Sequence, residues 1–220
     1  MVTLVKDTAN QTTLPPAHIM SVDVEDYFMV EAFAGSVPRG SWESRPSRVA
    51  MGTLRALNLF DRYNVKGTFF FVGWVARKFP ELVREVHARG HELACHSYWH
   101  RMVYSLTPDE FRDDTRAAVK AIEDAAGVKV CGYRAPSWSI TKDCLWALEI
   151  LAEEGFAYDS SIYPIHHDLR GARRATLSIC PQPEERQVVA RISSNHSEGS
   201  WTKSPRRRWR LLENTSACIY

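Results

Sequence analysis

The chain has 220 residues, of which 45% are hydrophobic and 25% charged, and its formal net charge is +2 at pH 7. These proportions are typical of a soluble globular protein. No apolar run approaches the roughly 18–20 residues of a membrane-spanning helix. Residues 1–17 are mostly polar and do not resemble a secretory signal. We therefore expect a disordered lead over residues 1–17 and a cytoplasmic protein.

The five cysteines are odd in number and form no C-x-x-C pair. This pattern favours neither a disulfide framework nor a cysteine zinc site. We expect buried or incidental thiols instead.

The first half of the chain contains three predicted strands and two predicted helices. Residues 18–24 form an apolar run that ends in acids, and residues 67–72 are β-branched and aromatic, so both predict buried strands. Apolar residues at helical spacing predict a helix over residues 49–63 between these strands. A short helix over residues 80–89 and a strand over residues 92–95 follow.

The second half continues the alternation of helices and strands. Thr107 is followed by Pro, Asp and Glu110, which predicts a helix that begins with a capping box. Gly127 is expected to end this helix. A strand over residues 128–133, a helix from Thr141 to Glu154 and a short strand over residues 156–158 complete the pattern.

Regular alternation of strands and helices predicts a parallel α/β sheet or barrel. In such folds, functional groups gather at the carboxyl ends of the strands. Notable polar groups follow four predicted strands: Asp23–Asp26, His96–His100, Arg134 and Asp159. The sequence therefore predicts one functional site at this edge of the sheet.

His96 and His100 are four positions apart. Two neutral imidazoles at this spacing can face one divalent metal ion. If the acidic cluster of residues 23–26 lies nearby, the result is a His-His-carboxylate site with a spare acid, which suits metal-assisted hydrolysis. The alternative is a pair of surface or core histidines without a metal.

Four motifs carry a family resemblance: S-V-D-V-E-D at residues 21–26, H-S-Y-W-H at 96–100, R-A-P-S-W at 134–138 and Y-D-S-S at 158–161. In this order they resemble the first four motifs of the NodB-type polysaccharide deacetylases, the carbohydrate esterase 4 family. The acidic motif and residues 163–168 look most like the branch associated with bacterial exopolysaccharide and exosortase systems.

The resemblance covers residues 18–169 and implies a distorted (β/α)7-type barrel, which we expect to be incomplete at its C-terminus. It also implies a hydrolase that removes acetyl groups from N-acetylated sugars of a polysaccharide and uses a divalent metal, often zinc. No nucleic-acid partner is expected. The oligomeric state does not follow from the sequence.

By resemblance, His96 and His100 are metal ligands and Asp23 is the catalytic base, which Arg134 would orient. The common family motif has two adjacent aspartates, but Val24 occupies the second place here. Strand alternation places Glu25 on the same side as Asp23, so Glu25 is the natural third ligand. Asp26 is the alternative, if the strand has already bent into its loop.

The third and fourth motifs supply candidate substrate-binding residues: Pro136, Ser137, Trp138, Asp159 and Ser160. A backbone N–H of Ser137 or Trp138 is a candidate oxyanion donor. For Asp159 and Ser160, the alternative to substrate binding is a supporting role at the barrel rim. Aromatic side chains near the strand ends suit sugar rings or core packing; they are Tyr27, Phe28, Trp99 and Trp138.

The fifth family motif, which contains a general-acid histidine, is not found. Residues 170–220 hold 10 basic and 4 acidic residues, against 18 and 22 in residues 1–169, and only 17 of these 51 residues are apolar. We expect a basic tail without a βα unit, arising from a truncated or out-of-frame reading. The alternative is a genuine basic tail that binds phosphate-rich partners.

Two other functions remain open from the sequence. One is a related amide hydrolase that acts on a small cyclic or linear amide. Some members of that class bind no metal. The other is a non-catalytic remnant or a basic-tailed binding protein.

The coding DNA tests the origin of the tail. An alternative frame downstream of codon 169 is expected to encode a βα pattern and a histidine motif similar to H-P-W-E. If neither alternative frame does so, the out-of-frame hypothesis is wrong.

Overall fold

The computed structural model describes residues 19–162 and the backbone of three later strands. The eight strands are β1 (Ile19–Val24), β2 (Thr68–Phe71), β3 (Glu92–Cys95), β4 (Gly132–Tyr133), β5 (Tyr158–Asp159), β6 (Val188–Ile192), β7 (Trp209–Glu213) and β8 (Ser216–Cys218). The five described α-helices are α1 (Val49–Arg62), α2 (Gly73–Lys78), α3 (Pro80–Ala88), α4 (Pro108–Ala126) and α5 (Trp146–Glu153). Within the described part of the chain, no helix is long and apolar enough to cross a membrane. The predicted lead over residues 1–17 lies outside the described residues.

The strands form one sheet in the order β7-β6-β5-β4-β3-β2-β1-β8. Strands β1 to β5 run parallel to one another, and β8 is parallel to β1. This arrangement confirms the predicted parallel α/β class. Strands β6 and β7 lie within the predicted tail, where no βα unit was expected, and they extend the sheet by antiparallel pairing beyond β5.

Helix α4 forms as its sequence predicts. Thr107 Oγ1 accepts a hydrogen bond from the Glu110 backbone N–H at 3.3 Å, and the Glu110 carboxylate accepts one from the Thr107 backbone N–H at 2.8 Å. This capping box satisfies donors that the first helical turn would otherwise leave unpaired. At the other end, Gly127 has a φ of 70°, a left-handed conformation that costs glycine little.

The core lies between the parallel strands and the helices. All four residues of β2 are buried, as expected for a parallel strand that is covered on both faces. Helix α1 contributes a buried face of Val49, Thr53, Leu57 and Phe60. The three described cysteines, at positions 95, 131 and 144, are free, and Cys95 and Cys144 are buried, as predicted.

Three predicted elements begin later than the sequence predicts, and one of them is β5, which begins at Tyr158 instead of residue 156. Strand β4 begins only at Gly132, and the Val130 N–H donates to the Glu123 carboxylate at 2.9 Å. The helix predicted from Thr141 begins instead as a 3₁₀ turn over Lys142–Cys144, before α5 starts at Trp146. In that turn the Thr141 N–H bonds to the Cys144 sulfur at 3.1 Å, so Thr141 caps the turn rather than an α-helix.

Helix α2 was not predicted. It is only six residues long and begins at Gly73, a residue type that usually ends helical patterns. The glycine is needed here because a Cβ at this position would lie 2.6 Å from the Ala118 Cα of α4. Close packing of α2 on α4 therefore decides this element, and a local pattern does not reveal it.

Replacing Leu57 with alanine tests the core of α1. Leu57 is fully buried, so we expect L57A to lower the free energy of unfolding by about 2–5 kcal/mol through lost burial and a cavity. On the same helix, Leu59 is 43% exposed, and L59A is expected to change stability by about 0.5 kcal/mol or less. Urea unfolding followed by circular dichroism measures both. Equal effects of the two substitutions would contradict the placement of this helix.

Candidate functional site

The carboxyl ends of four parallel strands bring the predicted polar residues together. Asp23 lies on β1, and Asp159 lies on β5. His96 directly follows β3, and Arg134 directly follows β4. Since β1 to β5 run parallel within one sheet, their carboxyl ends lie at one edge of it.

Three side chains at this edge converge on one point. Single ligand atoms of Glu25, His96 and His100 all lie within 4.8 Å of one another. Glu25 Oε2 is 2.6 Å from His100 Nε2, yet this buried oxygen has no partner with hydrogen-bond geometry in the described part of the chain. The two atoms are therefore close enough to each other to bind one small cation together.

The hydrogen bonding of His96 identifies which of its nitrogens faces the group. Its Nδ1 lies 2.7 Å from the backbone carbonyl oxygen of Arg134. A carbonyl only accepts hydrogen bonds, so Nδ1 carries the proton and Nε2 presents a lone pair. Burial lowers the pKa of His96 and outweighs the opposing attraction of Asp23 and Glu25. The imidazole is therefore held neutral, which is the form that binds metals.

Glu25 supplies the negative charge of the group. Burial raises the pKa of this carboxyl, but the proximity of His100 and His96 lowers it by more, so the pKa lies below its ordinary value. Two imidazole nitrogens and one carboxylate oxygen are a donor set that suits zinc. The Glu25 oxygen and His100 Nε2, 2.6 Å apart, are close enough to bind the same ion. The three side chains can therefore hold a divalent metal.

Asp23 lies beside this group and is paired with Arg134. Arg134 Nη1 donates to Asp23 Oδ1 at 2.7 Å, and Nη2 donates to the hydroxyls of Ser21 at 2.9 Å and Ser160 at 3.0 Å. The guanidinium also lies 4.0 Å from the centroid of the Phe70 ring. These contacts fix the arginine, which in turn fixes the carboxylate.

The second oxygen of Asp23 faces the histidines. Asp23 Oδ2 is 3.9 Å from His96 Nε2, and the Asp23 side chain is 31% exposed. It is thus accessible to a small molecule bound between it and the convergent group. Strand alternation places Asp23 and Glu25 on the same side of the chain, and both carboxylates reach the site.

Asp26, the alternative third ligand, is not part of the convergent group. Its carboxylate accepts hydrogen bonds from Ser47 Oγ at 2.5 Å and from the Arg48 backbone N–H at 3.1 Å. Asp26 is 1% exposed and lies at the start of α1, where a negative charge is favoured. Asp26 therefore lies outside the convergent group, because its oxygens bind the two residues that lead into α1.

The third motif forms a tight turn at the rim. Pro136 is buried, Ser137 is exposed, and both Ser137 and Trp138 have left-handed φ angles, of 48° and 49°. The Trp138 N–H donates to the Ala135 carbonyl at 3.3 Å. Of the two backbone groups predicted as oxyanion donors, the Ser137 N–H therefore remains the candidate.

The fourth motif lies beneath the rim. Asp159 is fully buried and accepts hydrogen bonds from the Ser161 hydroxyl at 2.5 Å and the Ser161 N–H at 3.0 Å. Burial raises the pKa of Asp159 to about 6. Ser160 is 3% exposed and accepts from Arg134. Both residues are buried beneath the rim, in the supporting position that the sequence offered as the alternative to substrate binding.

The predicted aromatic residues divide into two groups. Phe28 is buried against Trp42 and Trp74, with ring centroids 5.9 and 6.2 Å away, so it belongs to the core. Tyr27 is 40% exposed, and Trp99 is partly buried. These two rings, with Trp138, remain candidates for sugar contacts.

Sequence reasoning missed two residues that support the site. Ser21 binds Arg134, and its position two residues before Asp23 on the same strand face was the available signal. Asp114 accepts hydrogen bonds from the loop that carries His100. Its signal was a carboxylate on the apolar face of α4, three residues after Phe111 and four before Ala118.

Comparison with known proteins identifies a family. A family model described as polysaccharide deacetylase matches residues 46–155, half of the chain. The matched segment contains His96, His100 and Arg134 but begins after Asp23 and Glu25.

Individual relatives agree with this match. Peptidoglycan deacetylase of Helicobacter pylori is 29% identical over 146 residues, which are 63% of this chain and 48% of that protein. A peptidoglycan deacetylase-like protein of Gibberella zeae is 31% identical over 165 residues, which are 67% of this chain and 47% of that protein. The chain thus spans about half the length of these curated relatives.

A solved structure shows a similar fold. The crystal structure of a candidate polysaccharide deacetylase from Mycobacterium smegmatis is 30% identical and has a TM-score of 0.56. The similarity covers 68% of this chain and 56% of that one. The parallel sheet and its helices therefore match the (β/α)7-type fold that the motifs implied.

Proposed function

Because this chain belongs to the polysaccharide deacetylase family, we propose that it is a metal-dependent hydrolase that removes N-acetyl groups from an N-acetylated bacterial polysaccharide. The observation that carries this proposal is the convergence of Glu25, His96 and His100 beside the Asp23–Arg134 pair. Such an arrangement suits hydrolysis at a metal, because it combines three neutral or anionic metal ligands with an adjacent carboxylate that is anchored separately.

Glu25, His96 and His100 would hold the metal, and zinc suits their donor atoms. When bound, a divalent metal there supplies a Lewis acid that polarises the acetyl carbonyl and activates water. His96 presents its Nε2 lone pair because its other nitrogen is committed to the Arg134 carbonyl. The site thus has one ligand whose tautomer is fixed by the protein.

Asp23 acts as the general base in this proposal. Its Oδ2 faces the metal-binding group, and its Oδ1 is held by Arg134. A carboxylate in this position takes a proton from the attacking water, while Arg134 compensates its charge and prevents it from rotating. The Ser137 N–H at the rim is the proposed donor to the developing oxyanion.

The described residues provide no histidine as general acid. Of the four histidines in the described range, His96 and His100 belong to the metal group, His87 lies on α3, and His91 precedes β3 at the opposite edge of the sheet. The fifth family motif, which would supply such a histidine, is not found in the sequence, and we propose that hydrolysis by this chain is therefore slower by about 10²–10⁴-fold.

The proposed substrate is an exopolysaccharide that contains N-acetylated sugars. A cleft of about 160 Å³ at the end of β1 is lined by Asp23, Glu25, Tyr27 and Arg48, among others. A sugar ring in this cleft would meet the exposed Tyr27 face as well as the base. The branch assignment rests on the acidic motif of residues 21–26 and on residues 163–168, and the second of these segments lies outside the described residues.

Zinc binding tests the metal group. Wild-type protein is expected to bind about one zinc per chain, and E25Q should weaken binding by more than the ~10–100-fold typical of residues that only support a ligand. E81Q is the matched control, because it makes the same change at an exposed acid on α3. Competition with a chromophoric chelator measures both affinities. Equal losses in E25Q and E81Q, or no zinc in the wild type, would overturn the assignment.

Acetate release from N-acetylglucosamine oligomers tests the activity. Zinc-loaded wild-type protein is expected to release acetate slowly, and D23N should reduce the rate by about 10²–10⁴-fold because it removes the base. The zinc content of D23N should equal that of the wild type, which separates loss of the base from loss of the metal. A wild-type protein that binds zinc but releases no acetate would refute deacetylation by this chain.

A further inference from the structure

We propose that Asp114 on α4 is a positioning residue of the metal site, which fixes the loop of residues 97–101 so that His100 meets His96 and Glu25. The inference rests on the proposed function and extends it to a residue outside the family motifs. Asp114 touches neither the metal group nor the substrate cleft, so its effect passes entirely through the loop.

The Asp114 carboxylate accepts three hydrogen bonds from consecutive loop residues. Its Oδ2 accepts from Ser97 Oγ and from the Tyr98 N–H, both at 2.7 Å, and its Oδ1 accepts from the Trp99 N–H at 3.2 Å. Only 8% of Asp114 is exposed. A buried carboxylate is costly unless such donors compensate its charge, so the loop and the acid stabilise each other.

The loop needs this support because its backbone is strained. Ser97 has a φ of 64° and His100 has a φ of 50°. Left-handed conformations of non-glycine residues cost of order 1–3 kcal/mol each and persist only where surrounding contacts enforce them. The hydrogen bonds to Asp114 come from residues 97–99, next to both strained positions, so they can hold both left-handed conformations.

His100 depends on the loop more than His96 does. The His96 ring is anchored by its own hydrogen bond to the Arg134 carbonyl. In contrast, His100 Nδ1 is buried and has no hydrogen-bond partner in the described ranges of the chain. Metal-binding histidines are usually oriented by a partner on the second nitrogen. In place of such a hydrogen-bond partner, the backbone of the loop sets the position of the His100 ring.

Helix α2 holds the loop from the other side. The Gly73 N–H donates to the Ser97 carbonyl at 2.8 Å, and the Trp74 N–H donates to the Tyr98 carbonyl at 3.2 Å. The loop is therefore clamped between backbone donors of α2 and the acceptor on α4. The two backbone N–H groups that face Asp114 meet different oxygens of its carboxylate, so an amide in its place would oppose one of them in either orientation.

The isosteric substitution D114N tests this role. It replaces one acceptor oxygen with an amide group that donates, which opposes an N–H or O–H of the loop. We expect zinc affinity to fall by about 10–100-fold, and the visible absorption of the cobalt-substituted protein to change, because that spectrum reports ligand geometry. The matched control is D113N, which makes the same charge change at the exposed neighbouring residue and should leave both readouts unchanged.

A second control separates positioning from general loss of stability. L57A destabilises the core far from the loop, and below its unfolding temperature it should bind zinc with wild-type affinity and an unchanged cobalt spectrum. S97A removes one of the three donors and should weaken zinc binding by about tenfold, the lower end of that range. If D114N does not fold, the zinc affinity of S97A tests the inference instead.

The outcomes distinguish this inference from the proposed function. Zinc affinities and cobalt spectra of D114N and S97A equal to those of D113N would overturn the inference and leave the proposed function intact. An equal loss in L57A would likewise overturn it, because the effect would then be one of stability. A wild-type chain that binds no zinc would overturn both.

Discussion

The buried guanidinium of Arg134 connects the strands on which the site depends. Its side chain bonds Asp23 and Ser21 of β1 and Ser160 after β5. Its backbone N–H donates to the Cys95 carbonyl of β3 at 2.9 Å, and its carbonyl accepts from His96. One residue therefore orients the proposed base and one proposed metal ligand. Because these contacts join β1, β3 and the segment after β5, Arg134 serves the fold as well as the site.

Backbone strain is concentrated at the same edge of the sheet. Among the described non-glycine residues, all those with positive φ except Asn64 lie in two loops of the site: Ser97, His100, Ser137 and Trp138. Such strain is tolerated where surrounding structure over-determines it, as at binding and catalytic sites. The regular helices α2 and α4 supply that support, which explains why a carboxylate is buried on the apolar face of α4.

Much of the fold could be predicted from the sequence because its signals are local. The capping box at Thr107 and the glycine at position 127 define α4 within the sequence itself. The limits of β4 could not be predicted, since a side chain seven residues away competes for the Val130 N–H. Helix α2 also escaped prediction, because its first residue is defined by a contact with Ala118.

The site could be predicted only as far as residue types and strand periodicity allow. Periodicity favoured Glu25 over Asp26. Which of the two carboxylates reaches the site, however, depends on where the chain bends after Val24. The partners that hold Asp26 away from the site, Ser47 and Arg48, are more than 20 residues distant in the sequence. The role of Asp114 likewise requires the packing of α4 against the loop after β3. Contacts between distant segments leave no periodic signal, and they decide which of several similar carboxylates reaches the site.

The most direct test of the account is an anomalous difference map from crystals of the zinc-loaded protein, recorded at the zinc absorption edge. The account predicts one strong peak about 2.0–2.2 Å from a Glu25 oxygen and from Nε2 of both His96 and His100. A peak bound to Asp26 instead, or no peak among these three side chains, would contradict it.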